Sequence, residues 1–477
     1  MMRSSPEQIP GAGALRRLAT CVAFLLLLAG TSCGTRPAGA EWNIVLISVD
    51  TLRADHLGAY GYDRPTSPTM DELAREGAVF TQAICQNTNT NPSHASILSG
   101  LYPHSHGNRD NFFRMADDVP MLQEALKEAG YTTAAFVSGY TLKDQICGLA
   151  RGFDVYDDMF SGKERLGKQT TDRAVAWLQE NGERKFFLFF HLFDPHGPYD
   201  PPAQRPARFE PRGPARVVAA ERIPRYQRLP VGTADGDYWT DLRLYEAKYD
   251  EEIAYADRQV ATLLSELDRL GLGANTMVVL TSDHGESLDE RSHLLDHGGG
   301  VGDEEIHVPL ILRLPDGRFA GQRFTGQVQS IDIAPTLAAL AGIDLGPQVQ
   351  GLDLVPHLEA GNGDPHRDAF IETRLIPNRW RDRGYQLKPP DTLKVVRRPD
   401  AKVVVFPGMP RNYIEVYDLL DDPGEQHNIS ADDPDLTRNL LLSLEAFLAL
   451  PPRFNQVANP DSNPETREIF RTLGYVD

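Results

Sequence analysis

Cysteine is scarce in this 477-residue chain, which carries four. Only Cys85 and Cys147 follow Cys33, and no two cysteines have C-x-x-C spacing, which argues against a thiolate zinc site. Whether Cys85 and Cys147 form a disulfide is left open by the sequence. Positive charge is also in short supply: 48 Lys and Arg face 67 Asp and Glu, for a net charge of −19. A nucleic-acid partner needs a basic face, so none is expected. A small anionic substrate is not excluded, because a bound cation reverses the local sign. Beyond the N-terminal region no run is long and apolar enough to cross a bilayer, and no internal repeat is evident.

The N-terminal region reads as an export signal. Arg16 and Arg17 precede the apolar run CVAFLLLLAG, and small residues follow. Two cleavage readings stand. AGTSC resembles the lipobox before a lipidated Cys33, with Gly30 where Leu is usual; AGA, Ala38 to Ala40, suits ordinary signal peptidase. Residues 1–40 are thus expected to be a leader and linker. The mature protein is expected in the bacterial cell envelope, periplasmic or as an outer-membrane lipoprotein. Its only membrane contact is then an N-terminal lipid anchor.

From residue 41 to about 350, apolar runs alternate with helical patterns. NIVLISVD, KFFLFFHLFD and TMVVLTSD read as strands buried on both faces, and segments such as TTDRAVAWLQENG and EEIAYADRQVATLLSELDRLG as the helices before them. This grammar predicts an α/β domain with a doubly wound, mostly parallel sheet flanked by helices. Residues 201–240 interrupt it with a Pro- and Arg-rich stretch, read as an insertion or lid. From 351 to 477 the pattern changes to short strands, TLKVVRR, AKVVVFPG and IEVYDLLDD, and a leucine-spaced helix near LTRNLLLSLEAFLAL. That part is expected to form a smaller C-terminal α+β subdomain.

Three of the apolar runs end in metal-binding chemistry: Asp50 after the first, Asp194 and His196 after FFLFFHLF, and Asp283 and His284 after TMVVLTS. In open parallel sheets ligands bind beyond the carboxyl ends of the strands. A single Asp there is often a cap or turn residue. Three such endings, two of them paired with His, point to a divalent ion such as Zn²⁺, Mn²⁺ or Ca²⁺. Thr90 stands two residues before Pro92, where a helix running to Gly100 begins, with Ser93 offering early capping chemistry. A hydroxyl there lies near unpaired N–H groups and the positive end of the helix dipole. Beside a metal its proton is more easily lost.

These segments resemble the sulfatase family of the alkaline phosphatase superfamily. The likeness runs in order through NIVLISVDTLRADHLGAYGY, NPSHASILSGLYPHSHG, FFHLFDPHGPYDPP, TSDHGES, DEEIHVPLILR and VYDLLDDPGEQHN. The resemblance implies a divalent metal held by Asp50, Asp283 and His284, with the nucleophile at Thr90 beside it. It also implies His196 next to the transferred group, His297 near the leaving group, and Asn111 on a substrate oxygen. Asp194 and His297 are candidates for a second metal, as in two-zinc members.

The departures from the family pattern are informative. Sulfatases carry C-x-P-S-R or S-x-P-S-R, and that Cys or Ser is oxidised to formylglycine. Here the matching residues are TNPSH, so no formylglycine is expected, and His94 replaces the Arg. Ser138 and Tyr140 replace a Lys and a His, and Thr51 a second Asp. The resemblance then implies an exported metal-dependent hydrolase of phosphate or phosphonate (di)esters, acting through an unmodified Thr on a small anionic ester or an envelope glycan or lipid. The alternatives are a sulfatase working without formylglycine, an envelope phospho-headgroup transferase, and a metal-binding recognition protein. His104, His106 and His307 are read as structural.

Overall fold

The computed structural model describes residues 1, 41–202, 209–231, 237–290, 294–361, 367–374, 392–406, 413–458 and 464–473. The leader with Cys33, and residues 203–208 and 232–236 of the insertion, lie outside the described residues. Strand β1 (Asn43–Val49) is buried at every position, as the unbroken apolar run demands of a strand covered on both faces. β5 (Phe186–Leu192) and β6 (Thr276–Thr281) are buried throughout in the same way. Each fully buried Ile, Leu or Phe stabilises such a layer by about 1.5–3 kcal/mol.

β1 pairs in parallel with both β5 and β6, with Ser48 opposite His191 on one side and Thr281 on the other. The carboxyl ends of the three strands therefore lie level. The remaining strands are β2 (Ala78–Ile84), β3 (Thr132–Phe136), β4 (Val155–Asp157), β7 (His307–Arg313), β8 (Arg323–Phe324) and β9 (Val328–Gln329). Together they make a nine-stranded sheet of order β9-β2-β7-β6-β1-β5-β3-β4, with β8 also on β2. β7 alone runs antiparallel to its neighbours. The helices include α1 (Pro68–Glu76), α2 (Thr90–Ser99), α3 (Gly167–Asn181) and α4 (Leu242–Arg269). Separate apolar clusters form around alternate sides of β1: Ile44 and Leu46 belong to one, Val45 and Ile47 to the other. The expected doubly wound architecture is thus present.

The C-terminal part is an antiparallel meander of β10 (Ala369–Arg374), β11 (Thr392–Arg397), β12 (Ala401–Phe406) and β13 (Tyr413–Asp418). Its residues alternate as period-2 geometry requires. Val395 and Val404 join the core of the large sheet, whereas Val396, Val403 and Val416 pack with Leu440 and Leu444 of helix Pro434–Leu448. Glu41–Asp477 is one compact unit by its contacts. Cys85 and Cys147 are both free thiols, each buried, which closes the disulfide question.

The described part of the insertion is a strap. Bridge Val217↔Asp241 ties it to the residue before α4, bridge Pro230↔Tyr238 closes it on itself, and short 3₁₀ turns form at Ala220–Arg222 and Arg225–Gln227. Two of its arginines meet the chain's own acids: Arg212 lies 2.7 Å from Asp63, and Arg216 pairs with Glu246 and Asp289.

Ile47 is fully buried in the central strand, so Ile47→Ala should lower unfolding free energy by about 2–5 kcal/mol and Ile47→Val by only about 0.5–1.5 kcal/mol. Urea unfolding with an unchanged m-value measures both.

Candidate active site

Asp50 follows β1 directly, and Asp283 and His284 follow β6 after Ser282. The level strand ends bring them together: one ligand atom from each of the three lies within 4.8 Å of the others, and all three residues are fully buried. Asp283 Oδ1 accepts the backbone N–H of Thr51 at 3.2 Å and of His284 at 2.9 Å, which leaves Oδ2 without a hydrogen-bond partner. The His284 Nδ1–H donates to the Gly285 carbonyl at 2.9 Å. In that neutral tautomer Nε2 is a lone pair, 3.3 Å from Asp283 Oδ2. Asp50 Oδ1 likewise has no partner. Three buried polar atoms left without hydrogen-bond partners in one site are costly. A divalent cation satisfies all three, and the O, O, N donor set suits Zn²⁺, Mn²⁺ or Ca²⁺.

The surrounding residues orient these donors, and several were not singled out from the sequence. His191, inside β5, accepts the Ser138 N–H on Nδ1 and so presents its Nε2–H to Asp50 Oδ2 at 3.3 Å. Thr51 adopts a left-handed backbone with φ 53°. That strained turn aims its N–H at Asp283. Its carbonyl is held by the Tyr249 hydroxyl at 2.6 Å. Burial, and then the charges of Asp283 and Glu286, raise Asp50 well above the ordinary carboxylate range.

Thr90 is the first residue of α2, and every residue of that helix is buried. Its hydroxyl hydrogen-bonds to the Asp50 carboxylate. The helix start is built from outside. Asn111 Oδ1 accepts the Asn91 N–H at 2.9 Å, leaving Asn111 Nδ2 a buried donor with no partner. His94 braces the helix start. Its Nδ1–H donates to the Thr90 carbonyl at 2.8 Å, and Nε2 accepts the Ser48 hydroxyl at 2.8 Å. Ser93 does not cap the helix; its hydroxyl donates to the Asp283 carbonyl at 2.6 Å. Gly100 ends α2 in the left-handed conformation at φ 68°.

A file of histidine rings flanks the metal trio. His297 lies 4.7 Å from the rings of both His284 and His196. His297 Nδ1 faces the Glu286 carboxylate at 3.3 and 3.4 Å, an orienting acid inside the DHGE segment. The His196 Nδ1–H donates to the Gly197 carbonyl at 2.8 Å, and burial pushes the ring down to about 3. His196 is therefore neutral near pH 7. Asp194 is not among the converging ligands. Its carboxylate accepts the Gly167 N–H at the start of α3 at 3.2 Å, and burial raises it to about 7. The cause is topological: the Asp194–Pro195 turn leads the carboxylate toward α3 while His196 returns to the trio. His104, His106 and His307 bond to Leu450, Ser96 and Thr81 respectively, as structural roles require.

The sulfatase family profile matches residues 42–343, and that of N-sulphoglucosamine sulphohydrolase, C-terminal, matches 300–447. The chain belongs to the sulfatase family. It is an ester hydrolase of the alkaline phosphatase superfamily. N-acetylglucosamine-6-O-sulfatase of Bacteroides thetaiotaomicron is 24% identical, with 81% of this chain and 82% of that relative covered. The multifunctional alkaline phosphatase superfamily protein PehA of Trinickia caryophylli is 25% identical over 82% of this chain and 91% of its own. The structure of the phosphonate monoester hydrolase of Agrobacterium radiobacter superposes with a TM-score of 0.67 at 25% identity, covering 85% of this chain and 96% of that one. Sulfatase-family enzymes typically use a divalent metal, and the Asp50, Asp283 and His284 donors fit one.

Purified protein should carry a divalent ion that His284→Ala or Asp283→Ala releases and Glu286→Gln retains, as read by elemental analysis. Asp194 gives a separate pH signature. Its raised value means the folded state keeps a proton that the unfolded state releases above the ordinary carboxylate range. The resulting stability is complete at acid pH and is lost as pH rises through about 7. Asp194→Asn should flatten that part of the pH–stability curve.

Proposed function

We propose that this protein is an exported, metal-dependent hydrolase of phosphate and phosphonate esters that uses the unmodified Thr90 hydroxyl as nucleophile. The observation that carries the reading is the Thr90 hydroxyl bonded to Asp50 at the edge of the buried donor trio. No Cys or Ser stands there to become formylglycine. Formylglycine serves sulfate cleavage because its second hydroxyl lets the sulfated intermediate collapse without attack on sulfur, and a threonine has no such exit. The likeness to a phosphonate monoester hydrolase supports the phosphorus side of the reading. Export rests on Arg16, Arg17 and the apolar run that follows.

Asp50, Asp283 and His284 would hold the ion, which would supply positive charge to favour attack by a deprotonated hydroxyl on an anionic ester. Asp50 accepts the Thr90 hydrogen bond and is placed to take its proton. Thr90 Oγ1 attacks phosphorus in line and a phospho- or phosphonyl-threonine forms as the ester oxygen departs. Asn111 Nδ2 and the N–H groups of the first turn of α2 offer donors to a non-bridging oxygen. His297, held on Nδ1 by Glu286, delivers a proton from Nε2 to the departing oxygen. Water then enters the vacated apical position and gives its proton to His297 as the Thr90–phosphorus bond breaks, and Thr90 Oγ1 recovers its proton from Asp50. Neutral His196 accepts a hydrogen bond from that water.

Thr90→Ala should reduce turnover of aryl phosphodiesters and phenylphosphonate monoesters by about 10³-fold or more, with Thr90→Ser retaining part of it. Rapid quench and peptide mass spectrometry should find the phosphorus adduct on Thr90 in the wild-type enzyme. Turnover of aryl sulfates alone, with no such adduct, would transfer the assignment to sulfate esters.

A further inference from the structure

The residue before the nucleophile and the residue after the leaving-side histidine meet on one hydroxyl, and it belongs to the C-terminal subdomain. Thr373, the penultimate residue of β10, is fully buried. Its hydroxyl donates to the Gly298 carbonyl at 3.1 Å. The same oxygen accepts Asn89 Nδ2–H at 3.2 Å and lies 2.9 Å from the Thr88 hydroxyl. Asn89 directly precedes Thr90, and Gly298 directly follows His297. A hydroxyl has one proton and two lone pairs, and Thr373 directs them at these two loops.

The loop after His297 needs such a hold. Gly298, Gly299 and Gly300 are consecutive, and glycine leaves the backbone more freedom than any other residue. Contacts from other elements fix the run. Thr373 holds the Gly298 carbonyl, the Thr88 hydroxyl lies 3.2 Å from the Gly300 carbonyl, and Lys402 Nζ of β12 donates to the Val301 carbonyl at 2.9 Å. Gly298 is left-handed at φ 75°, and a Cβ there would fall 2.7 Å from Asn89 Oδ1. The two loops thus approach too closely for any side chain at 298. Docking of β10 does not depend on the Thr373 hydroxyl, because the Glu372 N–H donates to the Gln86 carbonyl at 3.0 Å and Asn87 Nδ2 donates to the Glu372 carbonyl at 2.5 Å.

We infer that Thr373 is a positioning residue that sets the Thr90 side of the site against the His297 side, so that attack and protonation of the leaving oxygen are aligned in one complex. It acts through Asn89 and Gly298. The smaller subdomain is thereby part of the active-site framework. The inference rests on the roles proposed above for Thr90 and His297.

The test compares Thr373→Val, which keeps the shape and removes the hydroxyl, with Thr373→Ser, which keeps the hydroxyl. A misplacement of about 1 Å costs about 10²-fold in rate. Thr373→Val should therefore lower kcat for phenyl esters by about 10- to 100-fold with KM within roughly twofold, and Thr373→Ser should recover to within about threefold. 4-Nitrophenyl esters of the same acids, whose leaving group departs without a proton, should lose less than phenyl esters, because a displaced His297 matters only where protonation is needed. Aryl phosphodiesters and aryl sulfates are both assayed. No loss in Thr373→Val, an equal loss for both leaving groups, or no recovery in Thr373→Ser overturns the inference. Thr373→Ala is the second hydroxyl-free variant should Thr373→Val fail to fold. Amide hydrogen exchange without substrate should quicken in residues 86–91 and 296–301 together in the hydroxyl-free variant, and unchanged exchange in either segment also overturns the inference. Because exchange is read without turnover, a parent protein inactive on every ester strikes the proposed reaction, and exchange alone then decides the link between the loops.

Discussion

Asp50, Asp283 and Glu286 are acids buried in one small volume, and their mutual repulsion is the constraint to which the rest of the site answers. Burial and like charge both resist ionisation of Asp50, while the His284 lone pair adds no proton to the arrangement. The chain relieves part of this with fixed donors: His191 on one Asp50 oxygen, and two backbone N–H groups on one Asp283 oxygen. The remaining atoms converge on a point that only positive charge satisfies. The left-handed Thr51, the Tyr249 hydroxyl and the helix start at Thr90 all serve to hold that geometry.

The same arrangement fixes the Thr90 hydroxyl at the Asp50 carboxylate. The position of Thr90 is set by the first turn of α2 and its contact with Asp50. His94 braces the Thr90 carbonyl against Ser48. These contacts build the support around the Thr90 hydroxyl.

The outer wall follows a different logic. Residues of the 201–240 insertion reach the histidine file through Tyr226 and Gln227, whereas Arg212 and Arg216 meet protein carboxylates. An arginine-rich composition suggests contact with an anion, yet among the described residues of the insertion Tyr226 and Gln227 are the ones set beside His196 and Gly197. Charge count along the chain is a poor guide here because neighbouring acids are available to absorb it.

By itself the sequence determined the strand cores and their endings. Unbroken apolar runs can only be strands covered on both faces, and Asp50, Asp283 and His284 follow two of them within three residues, so the donor trio was legible. Thr90 was legible from the helix-start pattern at Pro92. The tertiary structure alone decided which residues on other elements turn toward that trio. His191 lies within a fully apolar strand and looks like core until register sets it beside Ser48. Thr373 acquires its partners from loops far apart in sequence. Asp194, one residue before a proline turn, points to a helix start and not to the metal donors. Local pattern fixes which face a residue occupies, but side-chain convergence depends on strand register and loop paths, which are long-range properties of the packed chain.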